Sequence, residues 1–296
     1  MLSAYCMSCL VKRQLKMLDR YDDEEKKALY MRDALSIIGG MKSGEAAPVA
    51  VNRMDNLFVE YFGEKFSFEA EKKKYNDLIL EREEEIYGKI KDSTGDRLLL
   101  ALKYARIGNY IDFGALNSVE DERLSALIES TPDEEIDPVE YAHFRRDLEG
   151  AKRMTYLPDN CGEIVFDKIF IRVLKEEYPE LDLRIIVRGA PVLNDATVRD
   201  AEYVGIGKYA PVIGNGSGIA GNFLPEISKE ALDIIDSSDL IIAKGQGNFE
   251  TMLGCGRNVY YAFLCKCEWF VRRFGMKHLE GVFVNDLRCP FKGSTV

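Results

Sequence analysis

The sequence predicts an α/β protein, with a mostly parallel sheet flanked by helices and an all-helical N-terminal region. Two patterns indicate this fold class. Up to residue 150, apolar residues recur at intervals of three and four, as in amphipathic helices. Beyond that point, short apolar runs alternate with helical segments, as in proteins built from parallel strands and crossover helices. With 296 residues, 46% of them hydrophobic, the chain can bury a substantial core and form two domains.

The N-terminal region contains six segments with a helical pattern. Their apolar spacing predicts helices over residues 7–19, 23–38, 48–63, 68–92, 95–107 and 137–150. Residues 69–91 are so highly charged that we expect them to lie on the surface and to bury only a narrow stripe. We assign residues 1–150 to a helical domain and residues 151–296 to an α/β domain.

Five short apolar runs in the second half predict strands. They lie at residues 154–157, 183–187, 211–213, 240–243 and 259–264. Four of these runs are followed by polar clusters, at residues 159–160, 194–195, 214–222 and 244–250. Ligands of open α/β sheets bind beyond the carboxyl ends of the strands, so we expect the four clusters to converge on one site.

Composition and charge exclude several classes of protein. A net charge of −10 argues against a nucleic-acid-binding surface, which is normally basic. The sequence has no apolar run that approaches the roughly 20 residues of a membrane-spanning helix, so no membrane partner is expected. Seven cysteines, without a signal-peptide pattern, favour the reducing cytoplasm. His143 and His278 are the only histidines, which excludes a histidine-rich zinc site.

The segment YLPDNCGEIVFDKIF, residues 156–170, is the most informative part of the chain. Asp159 and Asn160 follow a short apolar run, and a helix-like segment starts directly after them. Carboxylate and amide oxygens are suitable ligands for a hard divalent cation. The free N–H groups and dipole of a helix N-terminus favour phosphate. The segment therefore favours a metal ion and a phosphate at one point, as metal-assisted phosphoryl chemistry requires.

Asn194 and Asp195 have two interpretations. They follow the run RIIV and precede Ala-Thr, so they fit a turn or a helix cap. If they instead lie beside the end of a neighbouring strand, Asp195 becomes a third protein ligand of the cation predicted at Asp159 and Asn160. Three protein ligands would leave coordination positions for water and substrate.

The glycine-rich stretch GNGSGIAGN, residues 214–222, also has two interpretations. Glycines allow backbone N–H groups to approach a phosphate, a nucleotide or a methyl donor closely. A plain flexible loop has the same composition. A dinucleotide-binding fingerprint should open a βαβ unit, whereas this stretch lies late in the predicted sheet.

The run LIIAKGQGNFE, residues 240–250, ends in a lysine followed by two glycines. Lys244 would supply a compact positive charge to a phosphate, and Gly245 and Gly247 would expose backbone N–H groups. The alternative is an ordinary strand–helix turn with Asn248 as the cap and Glu250 in the first turn. That alternative leaves the lysine at the edge of the sheet unexplained, so we favour phosphate binding.

The cysteines raise the question of a second metal site. Two close pairs, Cys6 with Cys9 and Cys265 with Cys267, would suit a tetrahedral structural zinc ion if they met in space. Only one residue separates the second pair, which departs from the usual zinc spacing. Burial of free cysteines as small hydrophobic residues is the alternative.

Several motifs together resemble the DUF89 family, the ARMT1-like damage-control phosphatases. They are YLPDNCGEIVFD, VLNDAT and AKGQGNFE, in that order. RIGNYIDFGA, residues 106–115, and the Cys6-x-x-Cys9 pair match the small prokaryotic branch of that family. The resemblance covers nearly the whole chain. It implies a helical N-terminal region joined to a Rossmann-like α/β domain that binds a divalent metal and the phosphate of the substrate.

The resemblance also implies roles for individual residues. Asp159, Asn160 and Asp195 match the metal ligands of the family. The other matches lie in the segment that holds the phosphate and in a motif that we expect to line the pocket. These residues are Lys244, Gly245, Gly247 and Asn248 for the phosphate, and Asn109 and Asp112 for the pocket. The Arg-Thr-x-Lys pattern of the eukaryotic branch is absent, so its sugar-phosphate substrates are not transferred to this chain.

We predict a metal-dependent phosphatase that hydrolyses a small phosphorylated metabolite. Mg²⁺, Mn²⁺, Co²⁺ or Ni²⁺ would neutralise charge on the phosphate, and a metal-associated water would attack phosphorus. The expected catalytic residues are Asp159, Asp195 and Lys244, with Asn194 among the substrate-binding residues. An aspartyl-phosphate intermediate is less favoured, because a metal-bound carboxylate is a poor nucleophile. A non-catalytic metal or phosphometabolite-binding protein and an S-adenosylmethionine-dependent methyltransferase are the alternatives.

Overall fold

The computed structural model of the protein describes residues 2–64, 66–110 and 121–290, without the side chains of residues 121–124. Thirteen α-helices lie in this part of the chain. They are α1 (Ala4–Leu18), α2 (Glu24–Gly39), α3 (Ala47–Phe62), α4 (Glu69–Leu80), α5 (Glu83–Lys91), α6 (Arg97–Ile107), α7 (Asp121–Ser130), α8 (Pro138–Gly150), α9 (Glu163–Glu177), α10 (Val198–Val204), α11 (Lys229–Ser237), α12 (Gly245–Met252) and α13 (Glu268–Phe274). Within the described ranges, no helix is long and apolar enough to cross a membrane.

One sheet of six strands lies in the described part of the chain. Its strands are β1 (Arg153–Leu157), β2 (Asp182–Val187), β3 (Val212–Gly214), β4 (Leu240–Lys244), β5 (Val259–Leu264) and β6 (Gly281–Asn285). Their order across the sheet is β3-β2-β1-β4-β5-β6. Neighbouring strands are parallel except β5 and β6, which are antiparallel. The predicted α/β fold with a mostly parallel, Rossmann-like sheet is confirmed.

Helices cover both faces of the sheet, and the side chains of each strand point alternately to one face and to the other. Tyr156 of β1 and Ile242 of β4 lie in the core formed with helices α4 to α10. Leu157 of β1 and Ala243 of β4 lie in the opposite core, with helices α11 to α13. The two layers of helices exclude water from the strands, which explains why the predicted strands are almost entirely apolar.

The helices before residue 150 divide into two groups. Helices α1, α2 and α3 enclose a small core of their own around Tyr30, Met54 and Phe58. They contact the α/β region through Val49, which packs on Ile219 and Phe223. Helices α4 to α8 instead share one core with the sheet. The assignment of residues 1–150 and 151–296 to two domains stays a prediction.

The predicted helix over residues 68–92 is divided into α4 and α5. The expected narrow apolar stripe is present and continues across the break, since Tyr75 and Ile79 of α4 and Ile86 and Ile90 of α5 are buried. Some charged residues of α4 and α5 form ion pairs with other helices. The ammonium of Lys168 on α9, for example, lies 2.6 Å from a carboxylate oxygen of Glu83.

The order of the strands creates a crevice at the carboxyl edge of the sheet. The chain leaves β1 towards β2 and β3 on one side, and then returns to form β4 on the other side of β1. Connections therefore diverge between β1 and β4, and such a switch point is the usual ligand site of an open α/β sheet. Asp159 lies just after β1, and Gly245 lies just after β4.

Candidate active site

The predicted metal ligands come together at the switch point. Two backbone hydrogen bonds join the segment after β1 to the loop after β2. The N–H of Cys161 donates to the carbonyl of Asn194 at 2.8 Å, and that of Ala196 donates to the carbonyl of Asp159 at 2.7 Å. Asn160 and Asp195 form the isolated β-bridge between these segments. The loop after β2 therefore curls back over β1, which sequence spacing alone could not establish.

Arg188 links the two aspartates, and sequence reasoning missed it. Its Nε donates to Oδ2 of Asp195 at 2.6 Å, and its Nη2 donates to Oδ1 of Asp159 at 3.1 Å. The Arg188 side chain is fully buried. The available signal was an arginine placed directly after the apolar run RIIV, at the edge where the polar clusters converge.

Two amide side chains hold the other side of Asp159. Nδ2 of Asn160 donates to Oδ2 of Asp159 at 2.9 Å and to Oε2 of Glu163 at 3.2 Å. Nδ2 of Asn109 donates to the same two atoms, at 3.3 and 3.0 Å. Asn109 therefore lies at the site, as expected for the motif around it. Asp112 lies outside the described residues.

Lys244 is placed differently from the prediction that it contacts the phosphate. Its fully buried ammonium donates to Oε1 of Glu163 and to Oδ1 of Asp167, both at 2.7 Å. It also donates to the carbonyl of Ala105 at 2.6 Å. An ammonium group has three N–H donors, so in this arrangement all of them are engaged within the protein. The residue lies behind the site and supports it through Glu163.

The two glycines after Lys244 allow close packing. Gly245 has φ of +77°, and a Cβ atom there would lie 1.9 Å from Oδ2 of Asp159. A Cβ atom on Gly247 would lie 3.0 Å from the carbonyl oxygen of Ala220. The absence of side chains thus brings the start of α12 against Asp159. Phosphate binding by Gly245 and Gly247 stays a prediction.

The glycine-rich stretch is fixed by buried asparagines. Nδ2 of Asn215 donates to Oδ1 of Asn222 at 3.0 Å, and Nδ2 of Asn222 donates to Oδ1 of Asn248 at 2.7 Å. A Cβ atom on Gly189 would lie 2.3 Å from the backbone nitrogen of Gly216, so the two loops touch. The stretch is an ordered loop that packs beside the site. Asn248 is its link to α12, and its predicted phosphate contact is untested.

Asn194 has a side-chain N–H donor without a hydrogen-bond partner among the described residues, and it follows a residue with strained backbone. Its buried Nδ2 has no hydrogen-bond partner among the described residues. The preceding Leu193 has φ of 44°, a conformation that bulky L-residues rarely adopt. A buried donor without a partner costs free energy unless a ligand satisfies it. These features agree with the predicted role of Asn194 in substrate binding, which stays a prediction.

The site contains more negative than positive charge. Asp159, Glu163, Asp167 and Asp195 are buried around two cations, Arg188 and Lys244. When ionised, the four carboxylates outnumber these two buried cations, and a divalent cation would offset the difference. Burial, together with Asp195 and Glu163, raises the pKa of Asp159 well above its usual range, despite Arg188. The ionised form of Asp159 is therefore disfavoured here, and a bound cation would stabilise it.

The ligand atoms also suit such a cation. Asp159 and Asp195 offer carboxylate oxygens, and the Asn160 amide nitrogen is already engaged by Asp159 and Glu163. The oxygen of that amide is therefore the side-chain atom left for a metal. Two carboxylates and an amide oxygen fit Mg²⁺ or Mn²⁺ better than a thiolate-binding metal.

The four cysteines proposed for a second site do not form a ready metal cluster. Cys6, Cys9, Cys265 and Cys267 are all free thiols. Within the described ranges, no group of three or more histidine, cysteine, aspartate or glutamate residues is arranged to hold a metal. Cys265 is buried in an apolar core, and burial raises its pKa to about 11. The packing alternative describes Cys265 better than zinc ligation.

Comparisons with known proteins agree with the fold and the motifs. Residues 2–282 match the family described as the damage-control phosphatase ARMT1-like domain. A damage-control phosphatase of Archaeoglobus fulgidus is 26% identical over 287 residues, which are 93% of this chain and 96% of that protein. Damage-control phosphatase PH1575 of Pyrococcus horikoshii is 34% identical over 194 residues, 65% of this chain and 66% of its own length.

A solved structure extends the comparison to three dimensions. The crystal structure of PH1575, a DUF89 family protein, matches with a TM-score of 0.79 and 25% identity. The match covers 96% of this chain and 98% of the other. Protein MJ0202 of Methanocaldococcus jannaschii is also similar, at 28% identity over 280 residues, 92% of this chain and 91% of its own. The chain therefore belongs to the damage-control phosphatase ARMT1-like family.

Proposed function

We propose that the protein is a metal-dependent phosphatase that acts on a small phosphorylated metabolite. The observation that carries the proposal is the buried site at the switch point, where Asp159, Asn160 and Asp195 meet with an excess of negative charge. The names of the relatives support phosphatase chemistry in general. The physiological cation, among Mg²⁺, Mn²⁺, Co²⁺ and Ni²⁺, is part of the proposal.

Asp159, Asn160 and Asp195 would hold the cation. When bound, the cation supplies Lewis-acid chemistry to a phosphate and to a water molecule. Arg188 keeps the two aspartates together, because it contacts both. The N-terminus of α12 lies against Asp159, and its free N–H groups and dipole favour the negative charge of a phosphate there.

Lys244 would act on a bound phosphate through its charge and not through a direct contact. Its ammonium is held by Glu163 and Asp167, so it makes the potential at the site less negative while it remains buried. Burial lowers the pKa of Lys244, but the carboxylates of Asp167 and Glu163 more than offset this and hold its pKa above the usual value. The lysine therefore stays charged at neutral pH.

The methyltransferase alternative is weaker after the structure is considered. It depended on the glycine-rich stretch, whose glycines pack against the protein. Gly216 touches Gly189, and a Cβ atom on Gly221 would lie 2.4 Å from the carbonyl oxygen of Gly247. A non-catalytic binding protein remains the second candidate, because the same ligands would bind a cation without turnover. A cytoplasmic location is also proposed, since all seven cysteines are free thiols.

The test is phosphate release by metal-stripped protein. An aryl phosphate, sugar phosphates and nucleotides are each tested with added Mg²⁺, Mn²⁺, Co²⁺ or Ni²⁺. Asp195→Asn keeps the shape of the ligand and removes its charge, while Asp182→Asn makes the same change on the exposed part of β2. We expect turnover that requires metal, is lost in Asp195→Asn and persists in Asp182→Asn. Stoichiometric metal binding without turnover on any substrate would favour the binding protein.

A further inference from the structure

We propose that Glu163 is a positioning residue, which fixes the Asn160 amide so that its oxygen is the atom offered to the cation. The inference rests on the proposed metal-dependent function. Glu163 is the first residue of α9 and is fully buried. Its Oε2 accepts hydrogen bonds from the amides of Asn160 and Asn109, at 3.2 and 3.0 Å. Its Oε1 accepts from the ammonium of Lys244 at 2.7 Å.

The orientation of Asn160 matters because the two ends of an amide have opposite chemistry. The oxygen can bind a cation, whereas the NH₂ group is only a donor. In this structure the NH₂ group of Asn160 donates to carboxylate oxygens of both Asp159 and Glu163. Rotating the amide by half a turn would place its oxygen against these two carboxylates and its NH₂ group where the cation binds. Glu163 therefore disfavours the rotated amide.

Lys244 supports Glu163 directly. The ammonium of Lys244 contacts Glu163 and Asp167, which lie one turn apart on α9. Tyr156 donates a further hydrogen bond to Asp167 at 2.6 Å. Lys244 thus anchors the carboxylate of Glu163 from the side away from Asn160. This gives the buried lysine at the end of β4 a role in the support of Glu163.

Glu163→Gln is the test, because glutamine keeps the shape and changes the hydrogen bonding. Its NH₂ group must face either Lys244 or the two asparagine amides, and in both cases a donor meets a donor. We expect Mn²⁺ to bind about 10- to 100-fold more weakly, as is usual when a residue that orients a metal ligand is changed. The measurement is the Kd of Mn²⁺ for metal-stripped protein by titration calorimetry.

Asp167→Asn is the matched control. Like Glu163→Gln, this substitution replaces a buried carboxylate partner of Lys244 with an amide of the same shape. Asp167, however, is hydrogen-bonded to Tyr156 and Lys244 and not to Asn160. Thermal unfolding should change in both variants. Each variant removes one buried carboxylate, so the loss of negative charge is common to both. Only Glu163 contacts the Asn160 amide, so the Kd of Mn²⁺ should rise less in Asp167→Asn than in Glu163→Gln.

Three results decide the question. Weaker Mn²⁺ binding in Glu163→Gln than in Asp167→Asn supports the positioning role. Equal Mn²⁺ affinity in the two variants overturns it, since Glu163 would then act only in stability. Wild-type protein that fails to bind Mn²⁺ would instead overturn the proposed function. If circular dichroism shows Glu163→Gln to be unfolded, Glu163→Asp replaces it, with the same expected order of affinities and the same contradicting result.

Discussion

Replacing Gly245 with alanine should disrupt the proposed metal site through two separable effects. The first is conformational, since Gly245 has φ of +77°, which disfavours any residue with a Cβ atom. It should cost about 1–2 kcal/mol of the free energy of unfolding. The second is steric, because the new Cβ atom would lie 1.9 Å from Oδ2 of Asp159. To restore even 3.0 Å, the two atoms must separate by a further 1.1 Å.

Gly205→Ala separates the two effects. Gly205 follows α10 with φ of +73°, and no atom lies within 4 Å of its added Cβ. The control should therefore lose about 1–2 kcal/mol in urea unfolding and keep the wild-type Kd for Mn²⁺. Gly245→Ala should lose at least as much stability and, in addition, about 100-fold in phosphate release, because a ligand displaced by about 1 Å is misplaced for catalysis.

The assays are urea unfolding, Mn²⁺ titration and phosphate release on both variants. The reasoning requires the Mn²⁺ affinity of Gly245→Ala to fall well below that of Gly205→Ala. If the two variants bind Mn²⁺ equally and release phosphate at equal rates, the contact between Gly245 and Asp159 does not determine the geometry of the proposed metal site. Equal losses of stability alone would not decide the matter.

Three further predictions concern the buried charges. Lys244→Met should cost about 3–5 kcal/mol in urea unfolding, because it leaves the fully buried Glu163 and Asp167 without their cation; a loss below about 1 kcal/mol would contradict this. Burial, partly offset by Lys244, raises the pKa of Asp167 from 3.8 to about 6. The stability that this shift contributes is fully present below pH 3.8 and is lost as the pH rises through about 6. Between pH 4 and pH 7, unfolding free energies should therefore shift by about 2 kcal/mol in favour of Asp167→Asn over wild type, and a constant difference would refute the assignment. Arg188→Met leaves Asp159 and Asp195 without their shared cation, so Mn²⁺ should raise its Tm more than that of wild type; equal increases in Tm would show that Arg188 does not balance the charge of the metal site.

The sequence was sufficient for the features that depend on local pattern. Buried parallel strands must be apolar, so the runs that became β1, β2, β4 and β5 were recognisable. Because the carboxyl ends of parallel strands meet at one edge, the convergence of Asp159 with the segment after β4 was also predictable. The edge strand β6 was missed; it is antiparallel to β5, although α13 lies between the two strands.

The role of Lys244 could not be read from its neighbours in sequence. Its partners Glu163 and Asp167 lie 81 and 77 residues earlier in the chain. A signal for them was available in EIVFDKIFI, where two acidic residues stand one turn apart in a largely apolar stretch. Buried carboxylates of this kind need a cation, and only the packing of α9 against β4 shows that the cation is Lys244.

The site also depends on contacts that sequence spacing does not encode. The loop between Arg188 and Ala196 folds back so that its arginine contacts Asp159, and the β-bridge between Asn160 and Asp195 closes it. An arginine at the end of an apolar run could equally have faced water. Its burial follows from the tertiary arrangement of the two aspartates, which offer the negative charge that it requires.

The most direct test of a cation held by Asp159, Asn160 and Asp195 is a titration of metal-stripped protein with Mn²⁺ while phosphate release from an aryl phosphate is followed. We predict no turnover in the presence of a chelator, and a rate that rises with bound Mn²⁺ and saturates near one ion per chain, since Asp159, Asn160 and Asp195 come together at a single site. Asp195→Asn should show no such rise. Turnover that continues at full rate in the chelator, or that is equal in Asp195→Asn, would contradict the metal site.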